Sequence, residues 1–115
     1  MSTSPTTDLA DELTRRVTGR VLTDPDITAA YSRDHCMIAE HGTPAAVVLA
    51  QSTQDVQAVM RVANHFGTPV VTRGAGTGLA GGANAIDGCI VVSLAAMNRI
   101  LDIDPIDKLA TVEAG

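Results

Sequence analysis

The stretch Val70–Gly88, VVTRGAGTGLAGGANAIDG, carries most of the information on how this chain folds and what it binds. Six of its nineteen residues are glycine. A chain uses that much glycine where its backbone adopts positive φ or where another group lies directly against it. Successive exposed N–H groups also form concave anion sites, for which phosphate is the usual ligand. The stretch therefore predicts a loop that holds a phosphate-bearing ligand.

Two general phosphate-binding motifs explain this loop poorly. A Walker loop needs a lysine after its last glycine, and the only lysine is Lys108, well outside the stretch. Gly76, Gly78 and Gly81 match the dinucleotide fingerprint G-x-G-x-x-G, but that fingerprint must open a helix, and the residues that follow are rich in turn formers. Asp102 lies at about the distance expected for the acidic partner, yet a strand and a turn intervene.

The segment before the loop predicts a strand, a helix and a second strand. AAVVLA, residues 45–50, is a continuous apolar run typical of a buried strand. Ser52 and Asp55 have the spacing of a capping box, and Gly67 is placed to end the helix. The apolar stripe predicted for this helix consists of Val56, Val59, Met60, Ala63 and Phe66. Pro69 then precedes the short strand VVT.

The rest of the chain completes the prediction of an α+β domain, a small mixed β-sheet flanked by helices. Residues 1–21 are expected to form a polar tail and a short helix, and Pro25 to begin a further helical turn. After the loop, CIVVSL, ILDID and LATVEAG are predicted strands, the last two joined by a hairpin connection at Pro105–Lys108. The chain stops at Gly115 directly after a strand, so we expect the domain formed by residues 22–115 to be incomplete at its C-terminus.

Composition excludes several classes of protein. Hydrophobic residues make up 45% of the chain, but there is one Phe, one Tyr and no Trp, so the core must be aliphatic. A formal charge of −5 with only eight Lys and Arg argues against a nucleic-acid-binding surface. Cys36 and Cys89 belong to no CxxC pattern, and we expect two reduced thiols in a cytoplasmic protein. MSTSPTTDLADEL, residues 1–13, has no basic segment followed by an apolar one, so we expect it not to be a secretory signal, and no apolar run of the sequence is long enough to span a bilayer.

Two acidic segments were considered as metal sites. DHCMIAEH, residues 34–41, holds five possible ligands in eight residues but matches no zinc spacing. Asp102, Asp104 and Asp107 lie near a turn, without the glycine and terminal glutamate of a calcium loop. We expect no metal at either segment, and we expect Cys89 to be a core residue rather than a nucleophile.

PVVTRGAGTGLAGG, residues 69–82, resembles the pyrophosphate-binding loop of FAD-linked oxidases of the vanillyl-alcohol oxidase and p-cresol methylhydroxylase (PCMH) type. The resemblance is greatest to the glycolate oxidase FAD subunit and the related D-lactate dehydrogenases. YSRDHC, VVSLAAMNRILDID and ATVEAG follow the order and spacing of that family, so the resemblance covers about residues 22–115. It implies the N-terminal part of a PCMH-type FAD-binding domain.

The resemblance also implies the cofactor and the residues that hold it. The family wraps the FAD diphosphate with the positions that correspond here to Arg73, Gly74, Ala75, Gly76, Thr77, Gly78, Gly81 and Gly82. Two roles stay open: Arg73 either adds charge near the phosphates or forms a local ion pair, and Thr77 either binds phosphate or caps a turn. Relatives with covalent flavin carry His at the position of Thr77, so the resemblance implies noncovalent FAD.

The activity implied is oxidation of a 2-hydroxy acid such as glycolate or D-lactate. The electron acceptor is unknown, and other subunits of an oxidase complex are a further class of partner. No catalytic acid or base can be named, because the flavin supplies the redox chemistry. Two alternatives stay open: another flavoenzyme of this fold, of the UDP-N-acetylenolpyruvylglucosamine reductase type, or a non-catalytic fragment. Residues 1–115 alone are expected to be inactive.

Overall fold

The computed structural model describes residues 5–115. The elements are, in chain order, α1 (Pro5–Arg16), β1 (Arg20–Leu22), α2 (Pro25–Thr28), a 3-10 turn (Ala29–Tyr31), β2 (Ala46–Leu49), α3 (Thr53–Phe66), β3 (Val70–Arg73), β4 (Ile90–Ser93), β5 (Ile100–Asp104) and β6 (Leu109–Val112). The predicted helices and strands are all present, and Pro25 begins α2 as expected. Strand β1 was not predicted.

The main sheet has four strands in the order β1-β2-β4-β3. β1 is antiparallel to β2, whereas β2, β4 and β3 are mutually parallel. Helix α3 is the crossover between β2 and β3, and β4 fills the place between those two strands. Leu49 and Arg73 both pair in register with Ser93, so the three parallel strands end level with one another. This arrangement confirms the α+β class, a small mixed sheet flanked by helices.

The core lies on both faces of this sheet and is aliphatic. Alternate residues of each strand point to opposite faces. One face packs against α1 and α3 through a cluster that includes Leu13, Val48, Val59, Ile90 and Val92. The other face holds a smaller cluster formed by Leu22, Val47, Val71, Ala85, Cys89 and Val91.

The apolar face of α3 differs from its prediction because Val62 takes the place of Met60. Val59 and Ala63 are buried, and Val62, which was not predicted, is also buried at 3% exposure. Met60 is 50% exposed, so its assignment to the stripe was wrong. The helix is rotated so that Val59, Val62 and Ala63 face the sheet, a spacing that fits one helical face as well as the predicted one does.

The ends of α3 follow the sequence signals. The Ser52 hydroxyl accepts the N–H of Asp55 at 3.2 Å, and Gly67 ends the helix in the left-handed region at φ +63°. The reciprocal half of the capping box is absent, because the Asp55 carboxylate accepts the N–H groups of Gln51, Thr18 and Gly19 instead. Asp55 therefore joins the start of α3 to the turn between α1 and β1.

Strands β5 and β6 form a separate antiparallel hairpin. Its connection falls at Pro105–Lys108 as predicted, and the Asp104 carboxylate accepts the N–H groups of Ile106 and Asp107. Asp104 is thus a turn-capping acid. In ILDID, residues 100–104, apolar residues are interspersed with acids, which predicts a strand with one buried face, and this prediction was wrong. Side chains on both of its faces are exposed, because no other layer within residues 5–115 covers the hairpin.

Candidate cofactor-binding site

The glycine stretch begins where the three parallel strands end. A cleft of about 440 Å³ lies there, lined by Tyr31, Leu49, Arg73, Gly74, Ala75, Ser93, Ala95 and Ala96. Leu49, Arg73 and Ser93 are the last residues of β2, β3 and β4. Ligands of open α/β sheets bind outside the carboxyl ends of the strands, and this cleft has that position.

A second cleft, of about 640 Å³, borders the same part of the loop. Its lining comes from the 3-10 turn, the segment that follows it, and the loop itself: Ala29, Ala30, Arg33, Asp34, His35, Cys36, Met37, Arg73, Ala75 and Gly76. Arg73 and Ala75 line both clefts. The start of the glycine stretch is therefore accessible from two clefts.

The first half of the glycine stretch beyond β3, residues 74–80, presents free backbone donors, and residues 81–88 form its second half. Within residues 5–115, no protein acceptor pairs with the N–H groups of residues 75–80. Five of these six residues are exposed, Gly76 being the exception. Six successive unpaired amides beside open clefts are what an anion-binding backbone needs.

The glycines of this loop serve different purposes. Gly76 and Gly81 adopt left-handed φ of +73° and +80°. A side chain at Gly76 would collide with the guanidinium of Arg73, and a Cβ at Gly81 would lie 2.9 Å from the Cβ of Ala39. Gly74 and Gly82 have nothing within 4 Å of a built Cβ. The protein itself therefore requires glycine at 76 and 81, whereas 74 and 82 leave surface open to a ligand.

Arg73 lies over the start of the loop without a carboxylate partner. Its Nη1 donates to the carbonyl oxygen of Arg33 at 2.8 Å, and its guanidinium carbon lies 5.7 Å from the centroid of the Tyr31 ring, in the range of a cation–π contact. No ion pair in the part of the chain that the structure describes includes Arg73. Of the two roles considered for Arg73, the local ion pair is absent, and its charge is available to an anion.

Thr77 is exposed, and its hydroxyl makes no hydrogen bond to any residue between 5 and 115. It therefore caps no turn there, which leaves the hydroxyl free for a ligand. None of the three histidines occupies this position. One of them, His35, lies in the lining of the larger cleft.

Residues 32–43, which we call the bracing segment, run alongside the glycine stretch from Gly78 to Asp87. The N–H of His35 donates to the carbonyl of Gly78 at 2.9 Å, and the N–H of Ala85 donates to the carbonyl of Ser32 at 2.8 Å. Farther along, the N–H of Gly42 donates to the carbonyl of Ala85 at 2.6 Å. These contacts join positions some 40 to 50 residues apart, and nothing in the local sequence predicted them.

Asp34 and Asn84 link the bracing segment to the loop through their side chains. Asp34 is 6% exposed, and its carboxylate accepts the N–H of Cys36 at 2.8 Å and that of Ala83 at 3.5 Å. The Cys36 bond lowers the pKa of Asp34 most, and the amides of Ala83 and Gly81 add to this against the opposing effect of burial. Asn84 accepts the N–H of Asp34 at 2.8 Å and donates to the carbonyl of Glu40 at 3.0 Å.

The other polar groups considered in the sequence do not form a site of their own. Among residues 5–115, no three His, Cys, Asp or Glu side chains are grouped as metal ligands. Cys36 and Cys89 are free thiols, and burial raises the pKa of the Cys89 thiol, which suits a core residue. In the same range, none of the helices has the length and apolar character that crossing a membrane requires.

Comparison with known families identifies the class of this chain. A family model described as "FAD binding domain" matches residues 44–115, which is more than half of the chain. The chain belongs to this family of FAD-binding domains. The match includes the whole glycine stretch and all three parallel strands.

The similar proteins include two named as dehydrogenases and one named as an oxidase subunit. The chain is 40% identical over 110 residues to a D-2-hydroxyglutarate dehydrogenase of Stutzerimonas stutzeri (strain A1501), covering 93% of this chain and 23% of that protein. It is 36% identical to a D-lactate dehydrogenase of Anaerostipes hadrus, covering 84% and 20%. It is 42% identical to the glycolate oxidase subunit GlcD of Escherichia coli (strain K12), covering 63% and 14%. The chain thus spans about a fifth of the length of these relatives.

Solved structures confirm the PCMH-type fold. A 4-ethylphenol oxidase from Gulosibacter chungangensis superposes with a TM-score of 0.74 at 25% identity, covering 90% of this chain and 21% of that one. p-Cresol methylhydroxylase superposes with a TM-score of 0.73 at 23% identity, covering 91% and 21%. The resemblance inferred from the glycine stretch and its flanks is therefore correct.

Proposed function

We propose that this chain provides the diphosphate-binding part of an FAD-dependent dehydrogenase or oxidase that acts on a 2-hydroxy acid. The observation that carries the proposal is the run of unpaired amides at residues 75–80, at the carboxyl ends of three parallel strands. An FAD-binding domain needs a place for two negatively charged phosphates, and this run suits them.

The residues proposed to hold the diphosphate are Arg73, Gly74, Ala75, Gly76, Thr77, Gly78, Gly81 and Gly82. The backbone amides of the loop would donate to phosphate oxygens, and hydrogen bonds to a charged group are each worth roughly 1.5–3 kcal/mol. Gly74 and Gly82 permit close approach because a Cβ there has no protein neighbour within 4 Å. Arg73 adds a positive charge with no carboxylate partner.

The chain's own part in catalysis is binding and orientation. The redox chemistry would be supplied by bound FAD, as the acceptor of one hydride, which carries both electrons, from the substrate carbon. The loop would fix the cofactor by its diphosphate, and β2 and β4 supply a rigid base because their central residues are fully buried. No side chain of the loop is a proton donor or acceptor suited to the substrate. We therefore expect the residues that donate and accept protons during substrate oxidation to lie outside this loop.

The substrate class follows from the relatives. The three named above act, by their names, on D-2-hydroxyglutarate, D-lactate and glycolate, which are all 2-hydroxy acids. We propose a 2-hydroxy acid of this kind for the whole protein. Noncovalent FAD, a cytoplasmic location and partner subunits stay predictions, and so does the division of the chain at residues 1–21 and 22–115.

The experiment uses the complete gene product, purified and freed of oxygen. A bound flavin is expected in its absorption spectrum, and addition of D-lactate, D-2-hydroxyglutarate or glycolate is expected to bleach it. The L-enantiomers of the first two acids are the matched controls for non-specific reduction. A protein that carries no flavin after incubation with FAD, or a bound flavin that none of these acids reduces, would contradict the proposal.

A further inference from the structure

The two halves of the glycine stretch differ in what occupies their backbone amides. The N–H groups of residues 75–80 have no protein acceptor within residues 5–115. In the second half, Ala83 donates to the Asp34 carboxylate, Asn84 donates to the carbonyl of Gly81, and Ala85 donates to the carbonyl of Ser32. The amides of residues 75–80 are thus open, whereas those of residues 83–85 are bonded to other groups of the protein.

Asp34 occupies the second half much as a bound anion would. Its Oδ1 accepts from Cys36 at 2.8 Å and its Oδ2 from Ala83 at 3.5 Å. Its Oδ2 also lies 3.4 Å from the position of a Cβ built on Gly78. The side chain is almost fully buried, and no ion pair in the described part of the chain neutralises it. Backbone donors alone hold this charge, as they do in anion-binding nests.

Two consequences follow for a ligand of the loop. The amide of Ala83 donates to the protein's own carboxylate, so it is unavailable to phosphate. The negative charge of Asp34 also disfavours a second anion in direct contact with it, because like charges at a few ångströms repel.

We propose that Asp34 is a positioning residue for FAD: its carboxylate fixes the second half of the glycine stretch, so that the diphosphate takes its backbone hydrogen bonds from residues 75–80 and meets only the open surface of Gly82. This inference rests on the proposed function and deepens it. In this account Gly81 serves Asp34 and Ala39, and its contribution to the cofactor is indirect. Asn84 supports the arrangement by holding the backbone of Asp34 on one side and that of Glu40 on the other.

A purely structural role for Asp34 makes a different prediction. If the carboxylate only stabilised the fold, its loss would lower the melting temperature and leave FAD affinity of the folded protein unchanged. If it positions the loop, affinity must fall and the loop must loosen even where the rest of the fold is intact. The measurement therefore needs one readout for affinity and one for local order in the absence of FAD.

The test compares the complete gene product with its Asp34→Asn and Asn84→Ala variants, all stripped of flavin. Titration calorimetry gives the Kd for FAD, and amide hydrogen exchange without FAD reports on residues 79–86, with α3 as the internal reference. Asp34→Asn keeps the shape of the side chain but removes the charge and one acceptor. We expect its Kd to rise at least tenfold, with faster exchange in residues 79–86 and unchanged exchange in α3. Asn84→Ala retains the carboxylate, and we expect a rise of about threefold.

The outcomes separate the two proposals. A Kd of Asp34→Asn within twofold of the parent would overturn the positioning role, whatever the exchange shows, and would leave the proposed function intact. A parent protein that fails to bind FAD would overturn the proposed function and this inference with it. If Asp34→Asn does not fold, the Asn84→Ala variant decides, and an unchanged Kd there overturns the positioning role.

Discussion

Two buried aspartates in this molecule make the same kind of contact in different regions. Asp55 is 2% exposed and accepts the N–H groups of Thr18, Gly19 and Gln51, and Asp34 is 6% exposed and accepts those of Cys36 and Ala83. In both, backbone hydrogen bonds outweigh burial and lower the pKa of the carboxyl. Both remain ionised at neutral pH as acceptors for main-chain donors.

What surrounds them differs. The donors of Asp55 belong to the turn before β1 and to the residue before the N-cap of α3. None of them is part of the glycine stretch. The donors of Asp34 include the glycine stretch, whose neighbouring amides have no protein partner. The same contact therefore serves stability at Asp55 and, in our account, ligand binding at Asp34. The predictions below test this division.

The largest effect is expected from Asp55→Ala. The change leaves the part-buried N–H groups of Thr18, Gly19 and Gln51, and the Thr18 hydroxyl, without their acceptor, and we expect a loss on the order of 3 kcal/mol in the free energy of unfolding. Chemical denaturation of the complete gene product measures it. FAD affinity of the folded variant should stay within twofold of the parent. A large loss of affinity without loss of stability would reverse the roles that we assign to the two aspartates.

The second prediction concerns how the free energy of unfolding depends on pH. Because the folded pKa of Asp55 lies below its ordinary value of 3.8, its contribution is complete above that pH and is lost as the pH falls through the folded pKa. The stability gap between the parent and Asp55→Asn, about 2 kcal/mol at neutral pH, should be constant from pH 8 to pH 5 and narrow below about pH 4. Denaturation curves across this range check it. A gap that widens in acid would contradict the assignment.

Ser52→Ala provides the matched control beside Asp55. It removes the hydroxyl that accepts the N–H of Asp55 but leaves the carboxylate and its donors in place. Loss of an N-cap costs about 1 kcal/mol, and because no titrating group is removed the cost should not change with pH. A pH-dependent gap for this variant would show that the acid effect is not specific to the Asp55 carboxylate.

The smallest effect is expected at Thr77, in the half of the loop that Asp34 leaves free. If its hydroxyl binds phosphate, Thr77→Ala removes one hydrogen bond. Because this hydroxyl is exposed and rotates freely, we expect a net value below that of the fixed loop amides, about 1 kcal/mol, and FAD binding should weaken roughly fivefold.

Noncovalent attachment of the flavin is a separate prediction. Acid precipitation of the parent and of the Thr77→Ala variant should release all flavin into the supernatant. Flavin that stays with the precipitate would contradict noncovalent binding.

Much of the fold was predictable from local signals. The period of apolar residues, the Ser52 cap and Gly67 identified α3, and apolar runs between turn residues identified the strands. Strand β1 was missed because three residues carry little pattern, and pairing with β2 defines it. The choice between Met60 and Val62 depends on how α3 rotates against the sheet, which only packing determines.

The site was predictable in part for the same reason. The glycine stretch is a local motif, so the loop could be identified and its cofactor proposed from sequence. Asp34 was noticed only as one member of an acidic segment, because its partners Ala83 and Asn84 lie about 50 residues away. The different purposes of Gly76 and Gly74 also escaped prediction, since the position of the Arg73 guanidinium decides them.

The central claim is that the FAD diphosphate lies against the first half of the glycine stretch, and Gly74→Ala tests it most directly. A Cβ at Gly74 meets no protein atom within 4 Å, and the residue has no positive φ, so the change disturbs a ligand and not the fold. The Kd for FAD is measured by calorimetry on the flavin-free complete gene product, with Gln57→Ala on the exposed side of α3 as control. We predict at least a tenfold weaker Kd with an unchanged melting temperature. An unchanged Kd would contradict the claim.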